Sequence, residues 1–97
     1  MDKIETLKML SANLGEIQQR FDVERLSLFG SVAKGEAGVN SDIDILISYK
    51  TTPGIFAFLE LKDYLEQKMS CPVDLVTENG LKKHMREQIM REAIHVS

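Results

Sequence analysis

The chain has 97 residues, a formal net charge of −3 and one cysteine, which predicts a single small domain over residues 1–97. The negative charge and the scattered lysines and arginines give no general attraction for nucleic-acid backbones, so bulk DNA or RNA binding is disfavoured. No apolar run reaches the length of a membrane span, and a lone cysteine suits a reducing compartment, so we expect a cytoplasmic protein.

The first half of the chain predicts two helices and a strand. Apolar residues at three- and four-residue intervals indicate an amphipathic helix from Asp2 to about Arg20. A strand follows at Val23–Phe29, and then a short helix at Ser31–Lys34, which its first residue would cap and Gly35 would end. Residues 36–40 are a polar, glycine-containing loop.

The second half predicts two strands that alternate with two helices. The strands are Asp42–Ser48 and Val73–Val76, and the helices are Ile55–Met69 and about Leu81–Ala93. Strands joined by a helix are usually parallel neighbours, which would place the third strand beside the second. The strand patterns alternate, so one sheet face is expected to be open to a ligand and the other covered by helices. The whole is an α+β chain in the order α-β-α-β-α-β-α.

Two aspartates stand on one face of the second predicted strand. Successive strand side chains point to opposite faces, so Asp42 and Asp44 project together, away from Ile43, Ile45 and Ile47. Neighbouring carboxylates repel each other, and a shared proton, a basic partner or a cation relieves the repulsion. The strand contains no basic residue, and Mg²⁺ is often held by one or two carboxylates together with substrate phosphates. The pair is therefore predicted to be half of a metal and nucleotide site.

A Gly-Ser turn upstream supplies the other half of this predicted site. Glycine lets the backbone approach a phosphate closely, and the N–H groups that open a following helix bind anions, which gives Gly30 and Ser31 a role. Lys34 adds a positive charge nearby. A third carboxylate, Asp74, lies in the third predicted strand and would sit opposite the aspartate pair.

Together these motifs resemble the minimal nucleotidyltransferases of the DNA polymerase β superfamily. The signature of that family is a hydrophobic strand, Gly-Ser, a short helix, a loop and Ser-Asp-x-Asp before aliphatic residues, and residues 26–35 and 41–47 fill it. Residues 71–77 supply the family's third carboxylate, and residues 81–89 are similar to its last helix. The chain departs at Lys34, where many members carry arginine.

The resemblance implies a nucleotidyltransferase fold, with helices packed on one face of a small mixed sheet. It also implies transfer of AMP from ATP to a hydroxyl, with two Mg²⁺ ions. The implied catalytic and metal-binding residues are Asp42, Asp44 and Asp74. The implied nucleotide-binding residues are Gly30, Ser31 and Lys34.

The chain is too short to contain a separate domain for the acceptor. The resemblance implies that the acceptor is a tyrosine of a helical HEPN ribonuclease toxin, which the chain would silence as an antitoxin in a hetero-oligomer. Three alternatives stay open: transfer to a small molecule such as an aminoglycoside, neutralisation of a toxin by binding alone, and a structural domain whose acidic strand is only solvated.

The helix at Ile55–Met69 carries apolar residues on more than one side. One predicted side consists of Ile55, Phe58, Leu59, Leu65 and Met69. A second apolar set, Phe56, Leu61 and Tyr64, falls elsewhere around the helix. The second set is either a surface for a partner or part of a core that surrounds the helix.

Overall fold

The structure, a computed structural model, describes residues 2–36 and 42–97. Within these residues the elements are α1 (Lys3–Phe21), β1 (Val23–Phe29), α2 (Gly30–Lys34), β2 (Ile43–Tyr49), α3 (Ile55–Met69), β3 (Val73–Thr77), a 3₁₀ turn (Glu78–Gly80), α4 (Lys83–Glu92) and β4 (Ile94–His95). Residues 37–40 of the predicted loop and Ser41 of the predicted motif lie outside the described residues. None of the described helices combines the length and apolar character needed to cross a bilayer.

The strands form one mixed sheet in the order β3-β2-β1-β4. β1 is antiparallel to both β2 and β4, whereas β2 and β3 are parallel. The predicted α+β class and the predicted parallel pairing of the second and third strands are therefore confirmed. This topology brings the start of β2 and the start of β3 to the same end of the sheet.

Two local predictions were wrong. The sequence predicted three strands, but Ile94–His95 adds a fourth, which pairs with Ser27 and Leu28 of β1. A two-residue strand is too short to show an alternating pattern, so pairing and not local sequence defines it. Helix α2 begins at Gly30, one residue earlier than predicted, with Phe29 in the cap position and no side-chain cap from Ser31.

Helices α1 and α3 cover the isoleucine face of the sheet. The Asp2 carboxylate accepts a hydrogen bond from the Glu5 N–H at 2.8 Å and caps the start of α1. One continuous apolar cluster then joins the two helices to the strands, and its buried members include Leu10, Ile17, Leu61, Leu65, Ile43, Ile45 and Ile47. The predicted assignment of the three isoleucines to the core is confirmed.

The predicted sides of α3 were partly wrong. Leu61 and Tyr64, predicted to lie away from the first apolar side, are buried in the core. Ile55 and Leu59, predicted to lie on that side, are 66% and 48% exposed, and Phe56 is 79% exposed. The fully buried residues of the helix begin at Leu61, and in its first turns Phe58 is half-buried against the core as predicted, whereas Ile55, Phe56 and Leu59 are exposed.

The opposite face of the sheet is only partly open. Leu46, whose side chain lies on the same face as Asp44, is 2% exposed and stands outside the main core cluster. Glu78 is also buried, and it binds Arg25 of β1 at 3.3 Å and Arg86 of α4 at 3.7 Å. Helix α4 has no buried residue of its own, so ion pairs such as these contribute to its attachment.

Candidate active site

The parallel pairing of β2 and β3 sets two aspartates side by side. Asp44 and Asp74 are register partners, as the sequence predicted when it placed Asp74 opposite the aspartate pair. Asp42 lies one residue before β2 and is exposed, Asp44 is half-buried and Asp74 is exposed. The three carboxylates thus lie at the end of the sheet where both strands begin.

The surroundings of Asp44 disfavour its negative charge. Burial is the main cause that raises the pKa of Asp44 above its usual value, followed by the charges of Asp74 and Asp42. Each of these causes favours the protonated form of the carboxyl group. A cation placed among the three aspartates would oppose all of them, because it would stabilise the ionised carboxylate.

We expect Asp44→Asn to raise the melting temperature of the metal-free protein by a few degrees at neutral pH. The folded pKa of Asp44 is raised, so its ionised form destabilises the folded state above that pKa. As the pH falls towards the unfolded pKa of about 3.9, wild-type Asp44 takes up a proton and the advantage of the asparagine should disappear. Thermal melts in EDTA from pH 7.5 to about pH 4 measure this difference.

Asp63 provides a matched control for this experiment, because it is an exposed aspartate on α3. Asp63→Asn removes the same charge, and Asp63 is not among the groups that raise the pKa of Asp44, so this change should alter the melting temperature little. If the gain in melting temperature of Asp44→Asn stayed constant from neutral pH down to pH 4, ionisation of Asp44 would not be its cause.

Gly30 touches the Asp44 side chain directly. Its φ is +75°, a left-handed conformation that favours glycine, and a Cβ atom added there would lie 2.1 Å from Asp44 Oδ2. The Gly-Ser turn and the aspartate strand are therefore in contact, because Phe29 is the register partner of Asp44 and Gly30 follows it. The sequence predicted the turn but not this contact.

Ser31 lies beside this contact, in the first turn of α2. It is half-buried, and among the residues that the structure describes the cap residue Phe29 makes no side-chain hydrogen bond to the N–H groups of this turn. Gly35 ends the helix as predicted, with φ +73°. The turn therefore presents backbone donors next to the aspartates, which is where the sequence predicted phosphate binding.

Lys34, the last residue of α2, is directed to another element. Its Nζ atom lies 3.3 Å from Glu92 Oε2 at the end of α4. The sequence predicted that this lysine contributes charge to a nucleotide site but did not predict its acidic partner. Glu92 lies 58 positions further along the chain, beyond the reach of local sequence patterns.

The residues at the site fit a divalent cation that a nucleotide helps to hold. Within residues 2–36 and 42–97, no group of three or more His, Cys, Asp or Glu side chains is arranged closely enough to hold a metal ion. Asp44 and Asp74 nevertheless present hard carboxylate oxygens in register, and Asp42 adds a third charge. One or two carboxylates suffice for Mg²⁺ when substrate phosphates supply the other ligands.

This mixed sheet, with carboxylates in register beside a glycine turn, defines the class of small nucleotidyltransferase domains. The family model for the nucleotidyltransferase domain matches residues 10–96, and the chain belongs to that family. The resemblance drawn from the sequence motifs is therefore confirmed.

Relatives match this chain over nearly its whole length. The protein adenylyltransferase MntA of Thermococcus cleftensis is 36% identical over 96 residues, which are 99% of this chain and 95% of that protein. A relative from Methanocaldococcus jannaschii is 38% identical over 77 residues, 79% of this chain and 90% of the relative.

Solved structures share the fold. A structure assigned to the minimal nucleotidyltransferases has a TM-score of 0.83 at 38% identity, and the match covers 97% of this chain and 95% of that one. A toxin-antitoxin structure with AMP-PNP has a TM-score of 0.72 at 25% identity, and the match covers 100% of this chain and 73% of that one. The complex of a tri-AMPylated HEPN toxin with its MNT antitoxin from Shewanella oneidensis has a TM-score of 0.69 at 19% identity. This match covers 94% of this chain and 71% of that one, and it supports the fold.

Proposed function

We propose that this chain is a protein adenylyltransferase that moves AMP from ATP to a hydroxyl group of a partner protein and releases pyrophosphate. The observation that carries the proposal is the register of Asp44 with Asp74, with Gly30 packed against the Asp44 carboxylate. The full-length similarity to a protein adenylyltransferase supports the reaction class. The AMP-PNP in a structural neighbour supports ATP as the donor.

Three aspartates would hold the metal ions in this reaction. Asp42, Asp44 and Asp74 are the hard oxygen ligands at the site, and two Mg²⁺ ions are the expected complement. When bound, such ions neutralise the triphosphate and lower the pKa of the attacking hydroxyl. Asp74 is exposed at the sheet end, where its carboxylate is accessible to an incoming hydroxyl and able to accept its proton.

The short helix α2 would bind the phosphates. Its first turn offers backbone N–H groups without a side-chain cap, and Gly30 lets a phosphate approach the chain closely. Ser31 adds a hydroxyl donor and Lys34 a positive charge. Positioning and charge neutralisation provide most of the catalysis in phosphoryl-type transfer, so a domain of this size suffices for the chemistry.

The acceptor is proposed to be a HEPN-type toxin, modified on a tyrosine hydroxyl, with this chain as its antitoxin. Positioning of the attacking group accounts for much of the rate in such reactions, and the described elements are already used by the core and the site. A second chain would therefore supply and position the hydroxyl. The toxin-antitoxin assembly of a neighbour that also binds a nucleotide supports this arrangement.

Mass spectrometry tests this proposal. The chain is mixed with the HEPN-type protein of the same organism, ATP and Mg²⁺, and the partner should gain the mass of one or more AMP units. Replacement of ATP by α,β-methylene ATP, which resists cleavage at that position, is the control. Tight association with no mass change would favour neutralisation by binding alone, and rapid transfer to an aminoglycoside would favour a small-molecule enzyme.

The uncovered start of α3 is the proposed contact for this partner. Ile55, Phe56 and Leu59 form an exposed apolar patch on the first turns of the helix. Because α3 runs back along the sheet from the end of β2, this patch lies at the end of the sheet opposite the aspartates. The patch would anchor the partner, while another part of the partner would present the hydroxyl.

We expect Phe56→Ser to weaken partner binding about tenfold, since it removes the aromatic ring of the patch, which is also its most exposed side chain. Calorimetric titration with the partner measures the affinity, and the melting temperature should stay within a few degrees of the wild type. Ile4→Ser is the matched control, because Ile4 is also a largely exposed apolar residue, 63% against 79% for Phe56, and lies on α1. Equal losses of affinity in Phe56→Ser and Ile4→Ser would show that the patch is not part of the interface.

A further inference from the structure

The contact between Lys34 and Glu92 joins the candidate site to the C-terminal part of the chain. Lys34 ends α2, the helix that begins at Gly30 against Asp44. Its Nζ lies 3.3 Å from Glu92 Oε2, and the two side chains are 44% and 37% exposed. This ion pair therefore connects α2 to α4.

The position of Glu92 is fixed by the residues that follow it. The Ala93 N–H donates to the Ile89 carbonyl at 2.8 Å and closes the end of α4. Three residues later, the N–H of buried Val96 donates to the Leu26 carbonyl of β1 at 2.9 Å. The Glu92 carboxylate is thus held beside α2 by backbone pairing to the sheet, although α4 itself buries no residue.

Lys34 is the one predicted nucleotide-binding residue that carries a positive charge, and that charge faces a carboxylate of another helix. The other charged residues of the predicted site are the aspartates at the start of β2 and β3. Lys34 is engaged by Glu92, so the site has a strongly negative end and a cation that is paired elsewhere.

We propose that Glu92 sets the affinity of the site for nucleotide, by competing with the phosphates of the bound triphosphate for Lys34. The inference rests on the proposed function, because it assigns a competitor to a residue of that site. A half-exposed ion pair is weak, and a triphosphate offers Lys34 more negative charge than one carboxylate does. Nucleotide binding would exchange the Glu92 carboxylate for a phosphate and release the contact between α2 and α4.

Titration calorimetry with AMP-PNP and Mg²⁺ tests this competition. Glu92→Gln should tighten binding about two- to fivefold, the range expected for loss of one exposed ion pair. Lys34→Met should weaken binding, and adding Glu92→Gln to Lys34→Met should then change nothing, because the contested cation is absent.

Glu87→Gln is the matched control. Glu87 is an exposed glutamate of the same helix and makes no ion pair with the residues that the structure describes. Glu87→Gln changes the net charge by the same amount as Glu92→Gln, and it should leave the affinity for AMP-PNP within twofold of the wild type.

The outcomes separate this inference from the function on which it rests. An unchanged or weaker affinity of Glu92→Gln, or an equal gain in Glu87→Gln, would overturn the competition even if the wild type binds AMP-PNP. Absence of AMP-PNP binding in every variant would overturn both proposals, whereas binding that appears only in Glu92→Gln would support the competition. Normal nucleotide binding without transfer to the partner would contradict the proposed function and leave the inference standing.

Discussion

Replacing Asp42 and Asp44 together by asparagine is expected to lower AMP transfer at least about a thousandfold and to leave the fold intact. The two carboxylates are the proposed metal ligands at the start of β2, with Asp42 one residue before the strand, and an amide carries no charge to balance a divalent ion. The change nearly preserves side-chain shape, and it removes a carboxyl group whose pKa is raised first by burial and then by the charges of Asp74 and Asp42. Transfer to the HEPN-type partner is followed by mass spectrometry, and folding by thermal melts without metal.

Glu60 and Asp63 provide the control for this double replacement. Both are exposed acidic residues of α3, so Glu60→Gln with Asp63→Asn removes the same two charges away from the site. This control should keep wild-type transfer. Transfer above a tenth of the wild-type rate in the Asp42 and Asp44 variant would contradict the assigned metal site. Loss of the cooperative thermal transition in that variant would contradict the assigned strand faces.

The placement of the aspartates was predictable because it follows from two strong regularities. Alternation along β2 separates Asp44 from Ile43 and Ile45, and the buried isoleucines fix which face is the core. The short helical crossover between β2 and β3 then makes the two strands parallel neighbours, which brings Asp74 to Asp44. Both regularities act within a span of about 35 residues, so local sequence contains the necessary information.

The features that the sequence did not predict depend on contacts between distant parts of the chain. Periodicity placed Ile55 and Leu59 on a core side together with Phe58, but only Phe58 packs against the core and the other two stay exposed. The β4 strand exists because its two residues pair with β1, far back in the chain. The partner of Lys34 likewise becomes visible only when α4 is placed beside α2.

Gly30→Ala is expected to lower AMP transfer at least about a hundredfold, because the new methyl group would displace the Asp44 carboxylate, a proposed metal ligand. The added Cβ would lie 2.1 Å from Asp44 Oδ2 and 2.9 Å from Asp44 Cγ. The carboxylate is the end of a short side chain, so it can rotate away, and it would then lose its alignment with Asp74. Partner modification by mass spectrometry and AMP-PNP affinity in Mg²⁺ measure the two losses.

Gly35→Ala separates this displacement from the cost of the backbone conformation. Gly35 has φ +73°, nearly the same as Gly30, but an added Cβ there meets no atom of the described residues within 4 Å. Both variants should lose about 1 to 2 kcal/mol of stability from the left-handed conformation. Only Gly30→Ala should lose transfer as well, because only its methyl group reaches Asp44. Equal transfer rates in the two alanine variants would show that the contact between Gly30 and Asp44 does not position the carboxylate for the reaction.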